Sequence, residues 1–275
     1  MQPIGWLEAI ILGLVQGITE FLPISSSAHI FIVSQLFGWQ DPGAAFTAVS
    51  QIGTELAVII FFRRDIARII SAWARSLFTP ALRSSIDARM GWYIIVGTIP
   101  IAVLGLIFSH QIETAARNLW LVSGTLIGFG IILGIADALG RHRLALTNLN
   151  AKDGIIFGLG QALALIPGVS RSGATISTGL ALGYTREASA RYAFLLAIPA
   201  VVASGLYEAT KIGSDPTVEW APTILATVIA FFTGFAVIAW LLRWVTTRSY
   251  LPFVIYRIAL GVLLIALLLT GVLVA

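Results

Sequence analysis

Nine residues, Pro167-Gly168-Val169-Ser170-Arg171-Ser172-Gly173-Ala174-Thr175, set one arginine and three hydroxyls beside a helix-breaking Pro-Gly pair. The surroundings are apolar, from Ile155 to Ile166 on one side and from Ile176 to Leu182 on the other. An arginine in such a setting needs an anionic partner or a wet cavity. A hydroxyl-rich loop opening a helix suits phosphate, because free N–H groups and the positive end of the helix dipole face it. A second cluster lies near the start of the chain: Gln16, Glu20, Ser25, Ser26, Ser27 and His29. Gln16 and Glu20 are four apart and share a helical face. His29 falls four after Ser25 and three after Ser26, so one face of a following helix can present all three. Together these are the parts of phosphoryl chemistry. Arginine grips non-bridging oxygens as a fork. A serine or histidine attacks, or the histidine protonates the leaving group. The carboxylate orients water, tunes the histidine or holds a divalent cation.

Each residue also has a plainer use. Ser25–Ser27 can cap a helix. Glu20 can sit at a helix end, His29 can bond between helices, and Arg171 can simply pair with Glu20. Glu55, four after Gln51, is costly in lipid and either lines the same cavity or pairs with a neighbour. Pro100 and Pro199 read as helix kinks.

Composition decides what holds these groups. Of the 275 residues, 58% are hydrophobic and 11% charged, and the mean hydropathy is +0.93. A soluble domain carries about 25% charge, so the chain reads as an all-α polytopic membrane protein with a single membrane domain over 1–275. No signal peptide is expected, since Met1 to Gly5 lacks a basic segment. The net charge of +4 needs no nucleic-acid partner. The absence of cysteine excludes disulfides, thiolate metal sites and a cysteine nucleophile.

Six apolar runs, near 45–62, 92–109, 119–139, 191–210, 221–243 and 253–274, are long enough to be transmembrane helices. Two further regions, 4–37 and 154–184, are interrupted near Pro23 and Pro167-Gly168, and each arm is too short to span. They are expected to be re-entrant helix-break-helix hairpins, whose irregular backbone must be buried in protein or line a cavity. Arg63, Arg64, Arg68, Arg75, Arg83, Arg89, Arg141, Arg143, Lys152, Arg186, Arg191, Arg243, Arg248 and Arg257 fall to one side of this topology, with Arg117 and Lys211 opposite. That bias puts the basic loops in the cytoplasm and both termini outside. Within the first basic loop, Ile66, Ile69, Ile70, Trp73 and Leu77 recur at helical spacing, as on an amphipathic surface helix. The hairpins also repeat: Gly13-Leu14-Val15-Gln16 returns as Gly158-Leu159-Gly160-Gln161, and Ser25-Ser26-Ser27 aligns with Ser170-Arg171-Ser172. An odd number of crossings separates them, which predicts an inverted repeat of roughly 4–140 and 150–274, with Ser25–His29 facing Ser170–Thr175 across one cavity.

The motifs Gln16-x-x-x-Glu20, Pro23-x-Ser25-Ser26-x-x-His29 and Pro167-Gly168-x-Ser170-Arg171-Ser172-x-x-Thr175 resemble those of the bacterial undecaprenyl-diphosphatase family linked to bacitracin resistance. The resemblance covers essentially the whole chain and includes Gln51-Ile52-Gly53. It implies a bacterial inner-membrane hydrolase that converts undecaprenyl diphosphate to the monophosphate and inorganic phosphate, recycling the lipid carrier of peptidoglycan. It implies an active site facing the periplasm or exterior and a divalent cation, Mg²⁺ or Ca²⁺, with Glu20 as metal ligand. It makes Glu20, His29, Arg171 and Ser26 catalytic, and Ser25, Ser27, Ser170, Ser172, Thr175, Gln16 and Gln51 phosphate-binding. Some members carry glutamate where this chain has Gln16, so Glu20 must act alone there or with Glu55. The nucleophile stays open between His29 and Ser26; if Ser26 attacks, His29 is the expected base. The C55 substrate requires a cleft opening sideways to lipid. A homodimer is compatible with the sequence. The repeat also suggests an alternative, a secondary transporter or flippase of the polyprenyl carrier; a third reading is resistance by sequestration.

Overall fold

A computed structural model describes residues 4–40, 43–109, 111–112, 118–212 and 219–273. Among them the chain forms α1 (Trp6–Thr19), α2 (Ser26–Leu36), α3 (Gly43–Phe61), α4 (Arg63–Phe78), α5 (Ile86–Ile107), α6 (Leu119–Leu139), α7 (Ala151–Ala162), α8 (Arg171–Ala181), α9 (Arg186–Ile212), α10 (Trp220–Thr247) and α11 (Leu251–Leu269). The described residues hold no strand, only an isolated bridge between Leu144 and Tyr184. Five helices, α5, α6, α9, α10 and α11, are long and apolar enough to cross a bilayer, and α3 joins them when counted with α4. The five match five of the six crossings expected from hydropathy, and the bent α3–α4 pair covers the sixth. Large apolar side chains such as Ile99, Val103, Phe232 and Leu263 remain exposed along them, as lipid-facing positions do. Arg117 lies outside the described residues, as does the Lys211 side chain.

The chain bends by 73° between α3 and α4. The α4 helix is strongly amphipathic, and it places Trp73 edge-on to Trp92 of α5, with ring centroids 5.6 Å apart. Ile69 is buried while Ile70 and Phe78 stay exposed, so the first basic loop is a helix with an apolar face.

Both expected hairpins form. α1 stops at Thr19, ahead of Pro23, which disfavours helical backbone at the residue before it. α7 tightens into a 3₁₀ turn, Leu163–Leu165, before Pro167-Gly168. Each chain then reverses through a serine with positive φ: Ser25 at φ 76°, ψ 99° and Ser170 at φ 73°, ψ 118°. Such backbone costs about 1–3 kcal/mol for a non-glycine residue. Each serine precedes an 11-residue helix. In each hairpin the first and third hydroxyls meet, Ser25 Oγ with Ser27 Oγ at 3.3 Å and Ser170 Oγ with Ser172 Oγ at 3.1 Å.

The outer arms are seated by aligned glycines. A Cβ at Gly13 would lie 2.6 Å from the Ala226 carbonyl of α10. One at Gly158 would collide with the Gly97 backbone of α5. Lipid supplies no hydrophobic drive for helix association, so close backbone approach of this kind holds the bundle together. α1 packs mainly on α10, α7 on α5, and α6 on α11. The core around the second hairpin is aromatic: Phe157 meets Tyr192 edge-on at 4.8 Å and Tyr184 at 5.5 Å. Pro100 and Pro199 lie inside α5 and α9. At the ends of α6, α9 and α11, buried Asp137 accepts from Arg186 Nε at 2.5 Å and from the Tyr250 N–H at 2.9 Å.

One charge lies elsewhere than its loop assignment. Arg257 was expected to flank the last turn on the basic side, but it is fully buried within α11. Six residues of helix separate it from the turn, enough to carry it into the bundle.

Candidate active site

The breaks meet around a pocket of about 200 Å³, lined by polar groups of both hairpins and of α3 and, on one side, by the apolar Ile101, Ala164 and Ile166. Two helix N-termini point their first turns at this region. Ser25 provides no side-chain cap for α2, so the first N–H groups of that helix remain available for an anion. Ser170 caps α8 through Gly173 N–H at 3.2 Å.

Glu20 is the hub. Its Oε1 accepts from Arg171 Nη2 at 2.6 Å and from Gln51 Nε2 at 3.2 Å. Its Oε2 accepts from Ser26 Oγ at 2.6 Å and from Gln16 Nε2 at 3.0 Å. Four donors converge on this one carboxylate. Arg171 Nη2 also donates to Glu55 Oε1 at 3.0 Å. Among the described residues no acceptor takes its Nε or Nη1, and Arg171 lines the pocket, so donors on both nitrogens stay free for an anion.

The predicted residues divide into three groups. Gln16, Glu20, Ser25, Ser26, Ser27, Gln51, Ser170 and Arg171 line the pocket together. Ser172 and Thr175 do not. Ser172 Oγ donates to the Leu22 carbonyl at 3.1 Å and ties the hairpins to each other; Thr175 Oγ1 donates back to the Arg171 carbonyl at 2.8 Å. His29 stands apart, one helical turn beyond Ser25. Its Nδ1 lies 2.7 Å from the Ser25 carbonyl and its Nε2 lies 2.6 Å from the Tyr256 hydroxyl. A carbonyl only accepts, so Nδ1 carries the proton and Nε2 accepts from Tyr256. The imidazole therefore braces the strained Ser25 backbone. In this structure the group on Ser26 Oγ is Glu20, and His29 is held by Ser25 and Tyr256 instead.

Thr47, Tyr256 and Arg257 escaped the sequence reading. Thr47 lines the pocket, and its signal was weak, a single hydroxyl one turn before Gln51. Arg257 left a stronger trace as a lone arginine inside the last apolar run. Tyr256 left none, because its partner is 227 residues away.

The donor set fits a hard divalent cation in part. Among the described residues, the buried Gln16 Oε1 in this pocket and Glu55 Oε2 in the small cavity beside it have no partner. Among the described residues no cluster of three or more metal-binding side chains exists. The described residues thus offer one or two carboxylates toward such a cation, as many as a Mg²⁺ site usually draws from its protein.

The sequence model for bacitracin resistance protein BacA matches residues 9–263. The chain belongs to this family. It is 58% identical over 273 residues to an undecaprenyl-diphosphatase of Nocardioides sp., covering 99% of this chain and 100% of that one. Similarity is as high to an undecaprenyl-diphosphatase of Thermobifida fusca, 60% identical over 267 residues and covering 97% and 91% of the two chains. An undecaprenyl-diphosphatase 2 of Streptomyces avermitilis is 58% identical over 281 residues, covering 98% and 97%. Membership of this membrane family accounts for the apolar crossings and for the polar pocket they enclose.

Proposed function

We propose that the protein hydrolyses undecaprenyl diphosphate to undecaprenyl phosphate and inorganic phosphate, the activity named for its relatives. The observation that carries this reading is the chain Arg171–Glu20–Ser26, 2.6 Å at each link, at the meeting point of two helix N-termini. Arg171 Nε and Nη1 and the uncapped N–H groups of α2 bind the terminal phosphate and hold the charge that develops on it. Ser26 Oγ attacks the terminal phosphorus as its proton passes to Glu20 Oε2. The bond to the bridging oxygen breaks, Glu20 hands that proton to the departing phosphate oxygen, and undecaprenyl phosphate leaves with Glu20 ionised again. Water then attacks the phosphoserine with Glu20 as base, releasing inorganic phosphate and restoring Ser26. His29 positions Ser25, and with it the first turn that holds the phosphate. A divalent cation, Mg²⁺ or Ca²⁺, held by Glu20 with help from Gln16 and Glu55, would neutralise diphosphate charge.

The isoprenoid chain leaves the pocket past Ile101, Ala164 and Ile166, between α5 and the second break, and remains in the acyl layer. Positive loops inside place the termini outside and open the pocket to the periplasmic or outer face. The matched serine geometry and the paired seating of Gly13 and Gly158 support descent of the halves from an inverted repeat. One chain supplies every group named, so a homodimer is not needed for turnover.

Purified protein in detergent with Mg²⁺ should release phosphate from a polyprenyl diphosphate and leave the monophosphate. Radiolabel trapped from the terminal phosphate should survive acid, as phosphoserine does. Acid-labile label would transfer the attack to His29. A protein that moves the carrier without releasing phosphate would be a transporter, and the reading would fail.

A further inference from the structure

Arg257 is fully exposed to neither water nor lipid: it is buried completely and, among the described residues, pairs with no acid. Instead it spends its donors on backbone carbonyls of both breaks. Nη1 donates to Pro23 O at 2.9 Å. Nη2 donates to Gly168 O and Val169 O, each at 3.0 Å. Nε donates to Leu126 O of α6 at 3.2 Å, and Nη2 makes a longer contact to Thr125 O at 3.4 Å. One guanidinium thus fastens the first hairpin, the second hairpin and α6 to α11.

Two consequences follow from peptide geometry and charge. The Val169 carbonyl points at Arg257, and a planar trans peptide turns its N–H the opposite way. That N–H belongs to Ser170, which lines the phosphate pocket, and among the described residues no acceptor takes it. Arg257 therefore fixes and polarises a free donor of a residue that lines the site. Among the described residues its own positive charge has no counter-ion, whereas Arg171 is already engaged by Glu20 and Glu55. A buried cation without an anion stabilises whatever anion arrives nearby.

We propose that Arg257 is a positioning residue for diphosphate: it sets the Ser170 peptide as a phosphate donor and leaves its charge for the substrate to balance. This role rests on the hydrolytic reading of the same pocket. Its function is electrostatic as well as structural, so the charge and the clamp can be separated by substitution.

The test compares Arg257→Gln, Arg257→Lys and Thr125→Val with the wild type. The last removes a different tie on the same break, the 2.6 Å bond from Thr125 Oγ1 to Pro167 O, without changing charge. Each purified protein is measured for binding of inorganic pyrophosphate by titration calorimetry, for kcat and KM on a polyprenyl diphosphate, and for thermal unfolding in detergent. Arg257→Gln should bind pyrophosphate at least ~10-fold more weakly and lose ~10²-fold in kcat. Arg257→Lys keeps the charge and loses the fork, so its pyrophosphate affinity should stay within ~3-fold of wild type while kcat falls ~10-fold. Thr125→Val should lower the unfolding temperature and leave pyrophosphate affinity unchanged. A folded Arg257→Gln that binds pyrophosphate as the wild type does would overturn the proposal. So would weakening of ~10-fold or more in Arg257→Lys, which decides the matter even if the glutamine variant does not fold, and so would wild-type protein that binds no pyrophosphate. Wild-type protein that binds pyrophosphate but releases no phosphate would instead sink the hydrolytic reading and leave the role of Arg257 standing.

Discussion

Replacement of Arg171 by lysine keeps the charge and removes the fork, and the geometry fixes what that costs. In the resting site one nitrogen, Nη2, serves both Glu20 and Glu55, and among the described residues the donors on Nε and Nη1 stay free. A lysine ammonium has three donors at a single point. Glu20 and Glu55 would occupy two of them, so at most one would reach phosphate, and from the wrong place. The variant loses at least one charge-assisted bond that tightens as charge develops on the transferring phosphoryl group. Loss of such a donor is worth about 2.7–4 kcal/mol of transition-state stabilisation, which at 1.36 kcal/mol per decade is roughly a 10²–10³-fold fall in kcat. KM should move less, because the ammonium still attracts the ground-state diphosphate. The assay is initial-rate phosphate release in detergent with Mg²⁺, beside an unfolding curve showing that Arg171→Lys is intact. A folded variant whose kcat stays within about fivefold of wild type would show that the bidentate grip is not what the reaction uses.

Three further expectations are independent of that one. His29→Asn places an amide N–H near the position of Nδ1 and can keep the bond to the Ser25 carbonyl, so it should retain roughly tenfold more activity than His29→Ala; equal inactivity of the two would point to phosphohistidine chemistry. Gly158→Ala drives a methyl group into the Gly97 backbone and should destabilise by about 1–3 kcal/mol, seen as a lower unfolding temperature, whereas Gly124→Ala on α6 meets open space and should not. His142, in the loop between α6 and α7, is held below its usual value of 6.5, first by burial and then by Arg186, against the pull of Asp137. The unfolded chain then binds the extra proton, so stability is complete above pH 6.5 and falls as pH drops below it. Thermal unfolding at pH 5.5 and 7.5 should differ more in wild type than in His142→Asn; an equal difference would remove His142 from the account.

The sequence by itself determined the membrane class, the six crossings and the two broken hairpins, because hydropathy and Pro-Gly interruptions are local properties of the chain. It also singled out Gln16, Glu20, Ser26 and Arg171, since charged and hydroxyl groups in apolar surroundings stand out wherever the fold takes them. Tertiary structure decided the pairing. It gave Ser26 to Glu20, turned Ser172 and Thr175 onto backbone carbonyls, and drew Arg257 from a supposed loop flank to the centre of the bundle. It also moved His29 out of the pocket and onto Tyr256. Those choices depend on the direction of each side chain around its helix and on carbonyls freed by breaks more than 140 residues apart. Spacing along one chain carries no record of either.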